Sequence, residues 1–220
     1  MTAPTFNALL FGLTGCLVDH GARTLPIAQQ HSGLPERPSD LNHPDLLPNL
    51  LASADECAEP LPSVCDLLDD LQRQGMPCAW LDELPDAATQ RLAAVLPSGL
   101  HGSRLNGSRP WPAPDAVWHT LSELQVDSLQ GCVLIASDPR LLQAGLNAGL
   151  WCIGLATCGP LCGLALGDWQ ALAAAEREKL RAQATLELYR LGAHSVIDHP
   201  GELPACLSDL AIRRHKGEKP

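Results

Sequence analysis

Four apolar segments of the chain end in residues that could act on a substrate: Gly12–Gly15, Leu81–Glu83, Ala136–Asp138 and Ala156–Gly159. Thr14, Asp82, Glu83, Ser137, Asp138 and Thr157 carry the side-chain oxygens there. Two carboxylates converging on one pocket could hold Mg²⁺, which takes oxygen ligands in near-octahedral geometry. A carboxylate or a hydroxyl could also move a proton in a hydrolysis, although Thr14 without a partner is a poor general base. Asp138 stands directly before Pro139, a pattern that predicts a helix N-cap. Cys158 and Cys162 in "CGPLC" have a spacing within the zinc range, but no second pair follows at a suitable distance, so the pair reads as loop.

Alternating strands and helices must carry these positions. Residues 6–18 read as the first strand. Residues 22–60 are rich in Pro, Asn, Asp and Ser and read as loop, with one helical turn in "DLLPNLL". Leu61, Val64, Leu67, Leu68 and Leu71 recur at helical spacing, and Gly75 is a natural C-cap. "MPCAWL" reads as a strand, "ELPDAATQRLAAVL" as a helix and "PSGLHGSRLNGSRPWPAP" as a long turn-rich connection. Then follow helix "DAVWHTLSELQV", strand "GCVLIAS", helix "DPRLLQAGLNAG" and strand "WCIGLA". One long helix, "GDWQALAAAEREKLRAQATLELYRLG", strand "SVIDH" and helix "GELPACLSDLAIRRH" complete the chain. Such alternation predicts an α/β three-layer sandwich with a mostly parallel sheet and right-handed crossovers. In such sheets ligands bind beyond the carboxyl ends of the strands.

Composition narrows the function classes. A chain of 220 residues, 45% hydrophobic, supports one α/β core with a small appended segment. The net charge of −10 disfavours nucleic acid and anionic membrane as partners. The apolar run "ALLFGLTGCLV" is broken by two glycines and is too short to span a bilayer, and no basic signal-peptide region precedes it. Nine cysteines, an odd number scattered through apolar segments, suit a reducing cytoplasm better than a disulfide framework. Lysine occurs only at Lys179, Lys216 and Lys219.

Four blocks in order carry a resemblance. "FGLTGCLVDHGAR", "WPAPDAVW", "AGLNAGLWCIGL" and the ending "LGAHSVIDHPGELPACLSDL" with "GEKP" resemble the haloacid dehalogenase-like superfamily, and within it the phosphonoacetaldehyde hydrolases, or phosphonatases. The resemblance spans nearly the whole chain apart from residues 22–60. It implies a haloacid dehalogenase-like core over residues 1–21 and 61–220, with 22–60 as a vestigial cap that can hold one or two short helices in place of a full helical bundle.

The resemblance also implies a set of catalytic groups that this chain lacks. The family's nucleophilic Asp falls at Gly12, which leaves no carboxylate to form an aspartyl-phosphate. Thr14 stands two residues on. The hydroxylated phosphate cradle falls at Leu81, and the anion-binding Arg falls at Trp111, with Arg109 two residues earlier as a substitute. The acidic metal ligand aligns with Ser137, and Asp138 is the next residue. The cap lysine that forms a Schiff base has no counterpart, because no lysine precedes Lys179. Asp19 and Arg23 match the family's structural turn and read as local hydrogen-bonding residues. His20 reads as a turn histidine without a partner, His194 as packing, and Trp111 and Trp118 as core.

The expected function is a catalytically inactive phosphonatase-like protein with a binding or regulatory role and no cofactor. Thr14, Arg109 and Ser137 are the candidate contacts to a small anionic ligand, and a homodimer or a related-enzyme partner is the alternative occupant. The competing expectation is a divergent hydrolase of phosphonate or phosphate esters. It would use Asp138, Thr14 or Asp82 as relocated groups and Mg²⁺ bound through Asp138. An apolar surface near residues 45–60 would favour association.

Overall fold

In the computed structural model, which describes residues 6–33, 41–103 and 108–220, the first apolar run forms β1 (Ala8–Gly12), buried along its whole length. Parallel neighbours flank it: β2 (Cys78–Leu81) on one side and β4 (Cys132–Ala136) on the other. β3 (His101–Gly102) extends the sheet beyond β2, and β5 (Trp151–Leu155) and β6 (Ser195–Ile197) extend it beyond β4. The order is β3-β2-β1-β4-β5-β6, all parallel. This is the three-layer α/β arrangement that the alternation predicts.

The period of two along β1 sets the layers. Leu9 and Phe11 face a core shared with α3 (Val64–Arg73), α4 (Asp86–Ala93) and α9 (Leu203–His215). Ala8 and Leu10 face a second core shared with α5 (Asp115–Glu123) and α6 (Pro139–Asn147). α8 (Ala174–Leu191) joins that second core through Ala184 and Leu188. Among the described residues no helix is long and apolar enough to cross a membrane.

Three local expectations need correction. Residues 22–60 hold two helices, α1 (Thr24–Ser32) and α2 (Leu47–Cys57), within the one or two short helices expected of the cap, although composition alone suggested loop with one turn. Their prolines, Pro26 and Pro48, lie in first turns, where a missing N–H costs nothing. The loop expected over 34–40 and part of the connection at 104–107 lie outside the described residues. β3 forms inside the turn-rich connection, because His101 and Gly102 find open hydrogen-bonding groups along β2. The expected single late helix is two: α7 (Leu166–Ala171) ends at Leu172, which is extended like Ala173 (ψ 147° and 146°). The break leaves the Trp169 ring 6.3 Å from that of His20.

The two helices of the insert pack into the main core. Ala28, Leu46, Leu50 and Ala54 have no exposed surface and share a cluster with Leu13 and Leu17 beyond the end of β1. Arg91 of α4 ties them down, donating to the Leu51 carbonyl (3.2 Å) and pairing with Asp55. At the start of α1, Thr24 donates to Asp19 Oδ2 through its N–H (2.8 Å) and hydroxyl (2.7 Å). Asp19 is thus the local hydrogen-bonding residue that the turn pattern suggests.

Candidate functional site

Strand order reverses on either side of β1, and the crevice at such a switch point is where parallel α/β sheets bind ligands. The carboxyl ends of β1, β2 and β4 meet there. They bring Gly12, Thr14, Leu81, Asp82, Ser137 and Asp138 around one cavity, closed by Leu141 and Trp111. Its volume is about 10 Å³, at the lower limit for a single water molecule.

Each polar group at the cavity is engaged by its neighbours or boxed in. Asp82 Oδ2 accepts from the Thr14 N–H (3.0 Å) and hydroxyl (2.7 Å), and Oδ1 accepts from the Leu84 N–H (3.0 Å). Burial pushes the Asp82 carboxyl above the usual range, and these donors offset part of that. Asp138 caps α6, accepting from the Arg140 N–H at 2.7 Å, and burial raises its carboxyl as well. Ser137 is buried, and its hydroxyl has no hydrogen-bond partner among the described residues. A β-carbon on Gly159 would stand 2.1 Å from that hydroxyl, and one on Gly15 2.8 Å from it, so the loops close on Ser137 only because both are glycine.

Leu81 and Trp111 fill the space with hydrocarbon. A clasp outside the sequence expectation holds Trp111 in place. Arg140 donates to both oxygens of Glu83 (2.6 and 3.2 Å) and to the Trp111 carbonyl, while the Trp111 N–H donates to Glu83 (2.7 Å). Local patterns give no sign of it, because Glu83, Trp111 and Arg140 lie on three separate elements. Buried Trp111 leaves its indole N–H without a partner among the described residues.

Thr14, Asp82, Ser137 and Asp138 therefore come together, and Arg109 does not join them. Its side chain is 72% exposed and forms a two-point pair with Asp115 (2.7 Å each), which holds that carboxyl down at about 2. Lys179 is exposed on α8. His20 has a partner after all: Nδ1 lies 3.1 Å from the Leu164 carbonyl. His194 accepts from the Cys152 N–H at Nδ1 (2.9 Å), with its ring against Trp151. Trp118, expected in the core, is 47% exposed on α5, and its indole donates to the Ala148 carbonyl (3.3 Å). Cys158 and Cys162 are free thiols, both raised by burial.

The donor set does not fit Mg²⁺. Gly12 and Ser137 offer no carboxylate, Asp82 spends both oxygens on backbone and hydroxyl donors, and Asp138 is bound to its helix. Among the described residues no three metal-ligating side chains gather around a common point.

No protein-family model matches the chain. A phosphonoacetaldehyde hydrolase of Bordetella pertussis is 31% identical over 179 residues. That region is 79% of this chain and 65% of the Bordetella protein, so the chain spans less than two thirds of that relative. A phosphonoacetaldehyde hydrolase-like protein from Oleispira antarctica, 21% identical, superposes with a TM-score of 0.88 over 99% of this chain and 97% of its own. A solved structure 53% identical superposes with a TM-score of 0.82 over 98% of this chain and its whole length. A haloacid dehalogenase (HAD) family hydrolase from Deinococcus radiodurans, 23% identical, gives 0.63 over 94% and 97%. With the strand order and these likenesses together, the chain has a haloacid dehalogenase-like fold and is phosphonatase-like in sequence.

Proposed function

We propose that this phosphonatase-like chain is catalytically inactive and keeps a binding or regulatory role. One observation carries the reading: Gly12 stands at the nucleophile's place, and Leu81, Leu141 and Trp111 fill the space in front of it. A cavity of about 10 Å³ does not admit a phosphoryl group, and a reaction without a nucleophile loses several orders of magnitude in rate. In this reading residues 22–60 are a vestigial cap whose two helices have become core, and the protein works in the cytoplasm. What it binds is a small anion held outside this cavity or a protein partner, either a second copy or a related enzyme. Residues 45–60 expose no large apolar side chain; Leu186 and Tyr189, three residues apart on α8, do.

The test is thermal unfolding of the full chain with Mg²⁺, inorganic phosphate and phosphonoacetate, beside size-exclusion chromatography. A ligand selective for the fold raises the melting temperature by mass action. A shift with phosphate or phosphonoacetate supports the anion, and no shift with a dimeric elution supports association. Mg²⁺-dependent turnover of phosphonoacetaldehyde or a phosphomonoester overturns the proposal.

The second reading, a divergent hydrolase of phosphonate or phosphate esters, draws on Asp82 and Asp138 lining one cavity, both with raised carboxyls. It requires Trp111 to withdraw and Asp138 to leave its cap. Turnover lost in Asp138→Asn identifies it.

A further inference from the structure

We propose that residues 165–173, which carry α7, form a strap that opens from the body of the domain by itself, latched shut by Trp169 against His20. α7 has six residues, and none of them is buried. An isolated helix shorter than about 12–15 residues is marginal in water, so contacts with the body must hold this one in place. Leu166, Trp169 and Leu172 are half-buried, whereas Gly167, Asp168, Gln170 and Ala171 are exposed. The Trp169 and His20 rings lie 6.3 Å apart, tilted by 38°, at the separation of a favourable ring pair. No side chain from 165 to 173 makes a hydrogen bond or ion pair with another described residue.

His20 is the fixed half of the latch. Its carbonyl accepts from the Gly159 N–H at 2.6 Å, which ties the turn after β1 to the loop after β5. Its Nδ1 lies 3.1 Å from the Leu164 carbonyl, and a carbonyl only accepts, so Nδ1 carries the proton. A β-carbon on Gly21 would collide with the Leu164 backbone, so the chain passes close there. Leu164 is thus held from two sides, and the strap begins one residue later.

Both ends of the strap are extended links rather than packed turns. Ala165 has ψ 156°, and Leu172 and Ala173 have ψ 147° and 146°. A β-carbon on Gly167 would meet nothing within 4 Å. Segments with few buried contacts open locally while the core stays folded, and a few loop residues suffice as hinges. Opening would free the His20 imidazole at the carboxyl end of the sheet, so a partner selective for the open form would hold the strap out. No residue of the strap lines the cavity at the switch point, so the proposal stands or falls independently of the proposed function.

The test is amide hydrogen exchange of the full chain at pH 7, read by mass spectrometry from zero to sub-denaturing urea. Opening of the strap alone exposes little surface, so exchange over residues 166–172 should hardly respond to urea, whereas β4 and α2 should respond steeply. Trp169→Ala and His20→Ala should each speed exchange of the strap about three- to tenfold, the loss of one ring pair. Both rings share a single contact, so the double variant should exceed the faster single variant by less than about twofold. Circular dichroism confirms folding, and Trp169→Ala, a change on an exposed helix, decides the latch if His20→Ala misfolds. A urea response of the strap equal to that of β4 overturns local opening. Strap exchange unchanged by Trp169→Ala, or multiplied again in the double variant, overturns the latch.

Discussion

Returning a carboxylate to Gly12 is the most direct trial of the filled pocket. Gly12 is a β1 residue without a positive φ, so its backbone accepts any side chain. A β-carbon there would meet Leu141 Cδ2 at 3.2 Å and Cys16 Cβ at 3.6 Å. The first contact asks Leu141 to give by a few tenths of an ångström, and Gly12→Ala should lie within about 1 kcal/mol of the native protein. Gly12→Asn pushes three further heavy atoms toward a cavity of about 10 Å³, an overpacking worth about 1–3 kcal/mol. Gly12→Asp has the same shape and adds a charge. Arg140 is already committed to Glu83, and Asp82 and Asp138 face the same space. Burial of the unpaired carboxylate adds several kcal/mol, so the total of about 4–6 kcal/mol approaches the whole stability of an ordinary domain. Urea unfolding at pH 7.5 and pH 5 separates the two effects. The new carboxyl would have a folded pKa above its unfolded value of about 3.9, so its cost is full above the folded pKa and shrinks as pH falls through it. Gly12→Asp should therefore regain stability relative to Gly12→Asn at pH 5. If the two are equal within about 1 kcal/mol at pH 7.5, or if Mg²⁺ stabilises Gly12→Asp, the pocket opens and admits a cation, and the reasoning fails.

Other consequences are as concrete. Asp138→Ala removes an N-cap and should cost about 1 kcal/mol by urea unfolding, to the same extent with or without Mg²⁺; a Mg²⁺-dependent difference would make Asp138 a ligand. Trp111→Ala should cost about 3–5 kcal/mol, whereas Trp111→Phe, which also deletes the unpartnered indole N–H, should cost less than about 1.5 kcal/mol. His194 is held neutral in the fold by burial, helped by nearby Arg213, and accepts from the Cys152 N–H. Its lowered folded pKa means that the unfolded chain binds the proton first. Its contribution is full above an unfolded pKa of about 6.5 and is lost as pH falls below it. His194→Gln should flatten the fall in the urea midpoint between pH 7 and pH 5.

The sheet and the strand ends were legible because both follow from local alternation. Gly12, Leu81 and Ser137 are fixed by where a run of apolar residues stops, and Asp138 as a cap follows from the proline after it. β3 was not legible, since two residues carry no period, and neither was the break at Leu172, where only alanine and leucine stand. Composition misled at residues 22–60 because proline in a first turn and proline in a loop look alike without the burial of Leu50 and Ala54. The Asp82–Thr14 bonds and the Glu83–Arg140–Trp111 clasp depend on side chains meeting from separate elements. No single stretch of sequence contains such a meeting, and Arg109 shows the cost of guessing one: it finds Asp115 nearby and stays outside.

The α1–α2 insert has a consequence for the motions of the molecule. A lid that opens needs an alternative state only a little higher in free energy, and here opening would uncover Ala28, Leu46, Leu50 and Ala54 together, all without exposed surface. At about 25 cal/mol per Å² of apolar area, that state is rare. The amide protons of α2 should then exchange with solvent at the rate of the strands beneath it rather than in a faster, local step. Helices α1 and α2 should therefore move with the core rather than as a lid with a cycle of its own.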